Sequence, residues 1–195
     1  MADQTILYPR WLKIWHSVNG TLCLFLMVTG LVMQYASPST IVFSFPTAIS
    51  IHNICGILLI ISWIIFIIAN ALSKNGSYYK ISFKLIREST VQFRYYIFGM
   101  FKGESKPFKE DEVRKFNPLQ QLTYWLTMYV ILPLIVITGF IMINIEQLLS
   151  DEHGIFIYQI ADLLHICAAF FISVFMIIHF YLASLDGKSN FKKII

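Results

Sequence analysis

Four of the five histidines lie within long apolar stretches, where an ionisable side chain is costly and usually serves a function. A neutral imidazole can bind a metal, and this removes most of the cost of placing it in lipid. For any one of these histidines, a hydrogen bond to a neighbouring helix is the simpler interpretation. The spacing of the histidines therefore decides between metal binding and hydrogen bonds to neighbouring helices. The four are His16, His52, His165 and His179.

The last two of these histidines are fourteen residues apart. On an α-helix this spacing places them within about 40° of the same face and about 21 Å apart along the axis. One helix thus offers two ligands at different depths in the membrane. We expect His16 near the cytoplasmic end of the first apolar stretch and His52 near the outer end of the second, so each matches the depth of one of these ligands. Depth therefore pairs His16 with His179, and His52 with His165.

Two imidazoles per centre suit a haem better than a zinc site, which takes three or four protein ligands. A small residue also follows each membrane histidine by four positions, and residues at i and i+4 share a helix face. Taken singly, each small residue favours ordinary helix packing. Their coincidence with all four histidines predicts room for the edge of a porphyrin. The four are Gly20, Gly56, Ala169 and Ala183.

The fifth histidine, His153, does not follow this pattern, because Ile157 stands four positions after it. We expect His153 to be a solvated loop residue, with contact to a partner protein as the alternative. Asp162 precedes His165 by three residues. It is either a solvated acid at the membrane interface or a group that orients the ligand or relays a proton.

The elements that must position these residues are membrane-spanning helices. The chain has 195 residues, of which 57% are hydrophobic and 13% charged, whereas ordinary soluble domains carry about 25% charged residues. Four stretches are long enough to cross about 30 Å of hydrocarbon. They are residues 11–35, 47–72, 118–144 and 155–184. The sequence therefore predicts an all-α integral membrane four-helix bundle, with residues 1–195 as a single domain.

Signals at the helix ends support the third span in particular. Asn117 can cap it, and Pro118 suits its first turn. Pro133 lies inside the same span and should bend it, because proline lacks the amide hydrogen of the helical ladder.

The lysines and arginines are confined to the N-terminal segment, the 73–117 connection and the C-terminal tail. The positive-inside rule then places both termini and this connection in the cytoplasm. The short connections 36–46 and 145–154 face outward, and the second carries Glu146 and Asp151. The 73–117 connection is basic and aromatic, and we expect it to lie along the inner membrane surface. A solvated loop held near the membrane by charge is the alternative. The net charge of +4 suits anionic lipids, and no nucleic-acid motif is present.

The three cysteines occur singly in apolar stretches. Their spacing does not match a disulfide, an iron–sulfur site or covalent haem attachment. We expect Cys23, Cys55 and Cys167 to be buried as small apolar side chains.

With these residues identified, the chain resembles the di-haem cytochrome b subunits of bacterial formate dehydrogenases, nickel–iron hydrogenases and thiosulfate reductases. The resemblance covers essentially the whole chain. Its matching features are Arg10 with His16, His52 opening the second helix, the 115–120 segment Lys-Phe-Asn-Pro-Leu-Gln, and the fourteen-residue spacing of His165 and His179.

The resemblance implies two haems b, ligated in the pairs that depth indicates, and a quinone site at the start of the third helix. The matching positions are Asn117 and Gln120, whose amides could hydrogen-bond a quinone carbonyl. Helix capping is the simpler role for Asn117, and the two roles can coexist. Arg10 and Lys13 are candidates for pairing with the propionates of the inner haem.

The resemblance therefore implies an electron-transfer subunit in the cytoplasmic membrane of a bacterium or archaeon. Its partner would be an outer-face iron–sulfur or multihaem cytochrome subunit of a dehydrogenase, hydrogenase or reductase, and menaquinone or ubiquinone would be the substrate. Three alternatives stay open: a free-standing cytochrome b quinol oxidase, a membrane transporter that uses histidines, and a passive membrane anchor.

Overall fold

The computed structural model describes residues 8–35, 44–108, 114–144 and 152–185. Within these ranges the chain is almost entirely helical and contains no β-strand. The helices are α1 (Arg10–Tyr35), α2 (Phe45–Leu72), α3 (Phe83–Arg94), α4 (Pro118–Leu126), α5 (Leu132–Ile143) and α6 (Glu152–Leu185). A 3-10 helix, Lys74–Tyr79, precedes α3, and a π segment, Tyr95–Gly99, follows it.

Four of the helical stretches in the described ranges are long and apolar enough to cross a membrane. They are Arg10–Tyr35, Phe45–Leu72, Pro118–Ile143 and His153–Ser184. Each agrees with a span predicted from the sequence to within two residues at either end. The prediction of an all-α membrane helical bundle is confirmed.

The described chain divides into two compact units. The histidine unit comprises Tyr8–Phe66 and Ile131–Ile195, and the connector unit contains Ile67–Val130. In the histidine unit, the Trp15 ring stacks on Phe66 with 4.3 Å between centroids. The Trp15 indole also donates to the Ser62 carbonyl at 2.9 Å. These contacts fix α1 against α2, while α5 packs along α6.

In the connector unit, the amphipathic helix α3 packs against α4. The Ser82 hydroxyl caps α3 by accepting from the Leu85 amide at 3.1 Å. Leu85, Ser89 and Gln92 are buried on one face of α3. Ser89 joins the two helices, because its hydroxyl lies 3.0 Å from the Pro118 carbonyl. The 73–117 connection is thus largely helical, and its placement along the inner membrane surface stays a prediction.

The third span begins as the sequence predicts, and its helix type changes before Pro133. Asn117 and Gln120 form a capping box, in which each side chain accepts from the other residue's amide. A π segment, Thr127–Ile131, then interrupts the span immediately before Pro133. Proline offers no amide hydrogen to the carbonyl four residues earlier, so the regular ladder cannot continue there.

The expectation for the cysteines is correct at two positions and wrong at one. Cys23 and Cys55 are buried, whereas Cys167 is exposed. Cys167 lies on the same helix as His165 but two positions on, about 200° around the axis, so it faces away from the neighbours that surround that histidine. The outward connections that carry Glu146 and Asp151, and both chain termini, lie outside the described residues.

Candidate functional site

The four membrane histidines meet in two pairs within the histidine unit. The His16 ring on α1 faces the His179 ring on α6, with 5.9 Å between centroids and 55° between planes. The His52 ring on α2 faces the His165 ring on α6, at 6.3 Å and 60°. All four side chains are half-buried. Because α6 is continuous from Glu152 to Leu185, the two pairs are about 21 Å apart along it.

The ring separations fit two imidazoles on opposite sides of one metal ion. A metal–imidazole bond is about 2 Å long, and a ring centroid lies roughly 1 Å beyond its nitrogen. Two opposed imidazoles therefore have centroids about 6 Å apart. The observed 5.9 and 6.3 Å agree with this value.

The donor set fits haem better than a metal ion held by protein alone. In the described ranges, no three or more histidine, cysteine or acidic side chains gather to hold a metal ion. Two axial imidazoles suffice for a haem iron, because the porphyrin supplies the other four nitrogens. The pairs can therefore serve as axial ligand sets.

The small residues that follow the histidines leave different amounts of space. A Cβ atom added at Gly20 or Gly56 would meet no atom of the protein within 4 Å. These two positions are thus not needed for close helix contact. Ala169 and Ala183 are half-buried on α6. Room beside His16 and His52 suits a broad, flat group.

Two threonines contact the His52–His165 pair. The Thr29 hydroxyl on α1 lies 2.9 Å from His52 Nδ1. The Thr138 hydroxyl on α5 lies 2.9 Å from His165 Nδ1. Both threonines are buried. They link each histidine to a neighbouring helix, so both rings are held by side-chain contacts.

The His16–His179 pair has aromatic neighbours. Phe175 stacks on His179, with 5.7 Å between centroids and 20° between planes. Arg10, at the start of α1, is exposed, and Lys13 one turn later is half-buried. Both cations lie within two turns of His16 on the same helix, where their long side chains can reach groups at the membrane surface.

The two other polar positions near the start of α6 differ in exposure. His153 is exposed, as predicted, but it lies in the first turn of α6 and not in a loop. Asp162 is half-buried, one turn before His165 on α6. A role in orienting the ligand stays a prediction.

The amides singled out at the start of the third span lie in the connector unit. Asn117 is buried, and its side-chain nitrogen donates to the Tyr96 hydroxyl at 3.0 Å. Its side-chain oxygen accepts from the Gln120 amide at 2.9 Å. Gln120 is half-buried and uses its side-chain oxygen in the capping box, 3.1 Å from the Asn117 amide. The Gln120 side-chain nitrogen is the donor that capping does not use.

A buried polar cluster in the same unit was not predicted from the sequence. Lys115 is only 2% exposed, and its ammonium donates to the Asn75 side-chain oxygen at 2.6 Å. Asn75 donates in turn to Asn70 at 2.6 Å. Burial lowers the pKa of Lys115 to about 8. Lys115 also lines a cavity of about 250 Å³ with Ser77, Tyr78, Arg114, Phe116 and Gln121.

The threonine contacts were not predicted, although the sequence contains a signal for them. Both threonines directly precede a glycine, in Thr29-Gly30 and Thr138-Gly139. The repeated dipeptide in two apolar spans marks a close approach between helices. The Lys115 cluster has no comparable signal, because its partner Asn75 is 40 residues away in the chain.

Comparison with known proteins places this geometry in context. The family described as prokaryotic cytochrome b561 matches residues 7–193. YdhU of Escherichia coli strain K12, a proposed cytochrome, is 31% identical over 184 residues, which cover 94% of this chain and 69% of that protein. No solved structure matches the chain. The family match includes all four membrane histidines.

Proposed function

Because this chain belongs to the prokaryotic cytochrome b561 family, we propose that it holds two haems b and carries electrons between an outer-face partner and quinone. Family membership makes it a multi-pass membrane cytochrome that binds haem and transfers electrons. The observation that supports two haems is the pair of facing imidazole sets, with ring centroids 5.9 and 6.3 Å apart.

In this proposal His52 and His165 are the axial ligands of the outer haem. His16 and His179 are those of the inner haem. When bound, each haem accepts and releases one electron, and two of them at different depths provide a path across the membrane. The small residues Gly20, Gly56, Ala169 and Ala183 give the porphyrins room, and Arg10 with Lys13 pairs with the inner propionates.

A redox-difference spectrum with haem quantification tests the proposal. We expect two haems per chain, both with the sharp visible bands of low-spin iron, because each iron would have two strong imidazole ligands. A single haem per chain would contradict the two-centre arrangement. A colourless protein would favour a histidine-containing transporter instead.

We place the quinone site at the start of the third span, at Asn117 and Gln120. Two features of the connector unit support this placement. The Gln120 side-chain nitrogen is left over from capping, and an amide N–H is a suitable donor to a quinone carbonyl. Asn117, Tyr96 and the buried Gln92 add polar groups where α3 meets α4. The Gln92 side-chain oxygen has no hydrogen-bond partner among the described residues.

Gln120→Leu is expected to slow haem reduction by a quinol analogue about tenfold or more, with both haems retained. Leucine keeps a good helix former at the position but removes the amide donor, together with the oxygen that accepts from the Asn117 amide. One lost hydrogen bond of about 1.4 kcal/mol is a factor of about ten. Stopped-flow reduction of the purified protein measures this rate. The matched control is Gln121→Leu, since Gln121 donates to the Lys80 carbonyl at 2.7 Å.

Asn117→Asp separates capping from quinone binding. The carboxylate retains an oxygen for the Gln120 amide, so the helix cap is preserved. It loses the N–H donor that Asn117 offers to Tyr96. Unchanged quinol kinetics in both Gln120→Leu and Asn117→Asp would remove the site from this end of the third span.

The family supports a proposal for the partner. Members are membrane cytochromes b, often subunits of hydrogenase-type complexes. We propose an outer-face iron–sulfur or multihaem cytochrome subunit of a dehydrogenase, hydrogenase or reductase as the partner. With both termini in the cytoplasm, proton uptake on that side during menaquinone or ubiquinone reduction would make turnover electrogenic.

A further inference from the structure

We propose that Thr29 and Thr138 are positioning residues that hold His52 and His165 in the tautomer and ring orientation that iron requires. The inference rests on the proposed function, because it takes these two histidines as the axial ligands of the outer haem. It adds two residues from α1 and α5, the spans that carry no ligand to that centre.

The tautomer follows from counting hydrogens on each hydroxyl. Thr29 Oγ1 lies 2.7 Å from the Phe25 carbonyl and 2.9 Å from His52 Nδ1. A hydroxyl has one hydrogen, and a carbonyl can only accept. Both contacts are therefore hydrogen bonds only if Thr29 donates to Phe25 and His52 Nδ1–H donates to Thr29. This tautomer leaves His52 Nε2 unprotonated, as a metal ligand must be.

The same arrangement recurs on the other ligand. Thr138 Oγ1 lies 2.8 Å from the Leu134 carbonyl and 2.9 Å from His165 Nδ1. The single hydrogen of Thr138 again goes to the carbonyl, so His165 Nδ1 carries the proton. Nε2 is therefore the unprotonated nitrogen of both rings, the form that a metal ligand needs.

Backbone carbonyls strengthen the assignment. The Thr29 hydroxyl also lies 3.2 Å from the Leu26 carbonyl, and the Thr138 hydroxyl lies 3.2 Å from the Ile135 carbonyl. Each threonine hydrogen thus has two carbonyls to donate to, and a carbonyl can only accept. The histidine is therefore the donor in each contact with a threonine.

The glycines that follow the threonines make the contact possible. A Cβ atom at Gly30 would lie 3.6 Å from His52 Cε1, and one at Gly139 would lie 3.3 Å from His165 Cε1. Each histidine therefore rests against a Thr-Gly pair of the neighbouring helix. Thr29 is 1% exposed and Thr138 is 3% exposed, so water does not compete for these hydrogen bonds.

This support has an electronic consequence. A hydrogen bond from Nδ1–H makes the imidazole a stronger electron donor to the metal. Stronger donation stabilises ferric over ferrous iron and lowers the midpoint potential of that haem. The bond also fixes the angle between the two ligand planes, which is 60° for His52 and His165, and this angle governs the EPR signal of low-spin ferric haem.

Redox titration and EPR of Thr29→Val, Thr138→Val and the double variant test the inference. Valine keeps the shape of threonine but accepts no hydrogen bond. We expect the potential of the outer haem to rise, with the ferrous-to-ferric ratio at fixed ambient potential increasing roughly threefold to tenfold per substitution. A tenfold change is ~59 mV for one electron. The EPR signal of the same haem should shift, and the inner haem should not change.

Matched controls isolate the histidine contact from the rest of the threonine. Thr21 on α1 donates to the Ser17 carbonyl at 2.9 Å, and Thr123 on α4 donates to Leu119 at 2.9 Å. Both repeat the backbone contact, and neither hydroxyl bonds a histidine among the described residues. Thr21→Val and Thr123→Val should leave both potentials unchanged. Thr29→Ser and Thr138→Ser retain the hydroxyl and should keep the original outer potential and EPR signal.

The outcomes separate this inference from the proposed function. Wild-type protein with only one haem would overturn the proposed function. Two haems in the wild type, with outer potential and EPR signal unchanged in the double valine variant, would overturn the positioning role alone. Equal shifts in potential at both haems would also overturn the positioning role, because they indicate a general packing change. The same holds if the serine variants shift the outer potential as much as the valine variants do.

Discussion

His165→Ala is expected to halve the haem content by removing the outer haem and leaving the inner one. Alanine offers no ligand, and His52 alone cannot hold a low-spin iron with two strong axial bonds. His52→Ala should lose the same haem, with the same residual spectrum and potential. The double variant should lose no more than either single one, because two ligands of one centre act as a unit. Pyridine haemochrome quantification and redox titration measure these changes.

His153→Ala is the control on the same helix. His153 is exposed at the start of α6, so its loss should leave both haems in place. His16→Ala should remove the complementary haem. If His165→Ala and His52→Ala removed different haems, or if His165→Ala removed the haem that His16→Ala removes, the assignment of ligand pairs would be wrong.

Gly56→Val is expected to abolish binding of the outer haem while the helices still fold. A Cβ at Gly56 meets no protein atom within 4 Å, and valine has a higher helix propensity than glycine by a few tenths of a kcal/mol. A porphyrin edge beside His52 would nevertheless collide with the added methyl groups. The expected result is loss of more than about nine-tenths of the outer haem, which requires haem binding to weaken by well over the factor of ten that ~1.4 kcal/mol represents.

The equivalent change near the other centre provides the comparison. Gly20→Val should remove the inner haem and spare the outer one, and alanine at either position should have a smaller effect. Far-ultraviolet circular dichroism checks that helicity is unchanged. If both valine variants kept two haems, the glycines would have no role in haem binding. If each variant lost helicity together with both haems, they would serve helix packing.

The four spans were predictable because a lipid-facing helix must be apolar along its whole length, and length alone then identifies it. The helix cap at Asn117 and a disturbance of the helix at Pro133 were also predictable, because each depends on residues close together in the sequence. Depth and helical period were enough to indicate which histidines could face each other. These features all follow from local pattern or from one-dimensional position in the membrane.

The contacts that were not predicted depend on rotation of helices about their axes. Thr29 meets His52 only because α1 turns that face toward α2, and the sequence of α1 alone does not set this angle. Lys115 reaches Asn75 through a fold of the connector unit that brings together residues far apart in the chain. The helix α3 was not predicted from the sequence, because its aromatic and basic residues suit a surface loop equally well.

The uninterrupted course of α6 from Glu152 to Leu185 restricts how this chain can vary. Inserting one residue between its two histidines would turn one of them by about 100° relative to the other, so that at most one could keep its partner. A whole extra turn would restore the direction but lengthen the path by about 5 Å. The helix thus acts as a spacer of fixed length, and changes in chain length are tolerated in the connections between spans and not here.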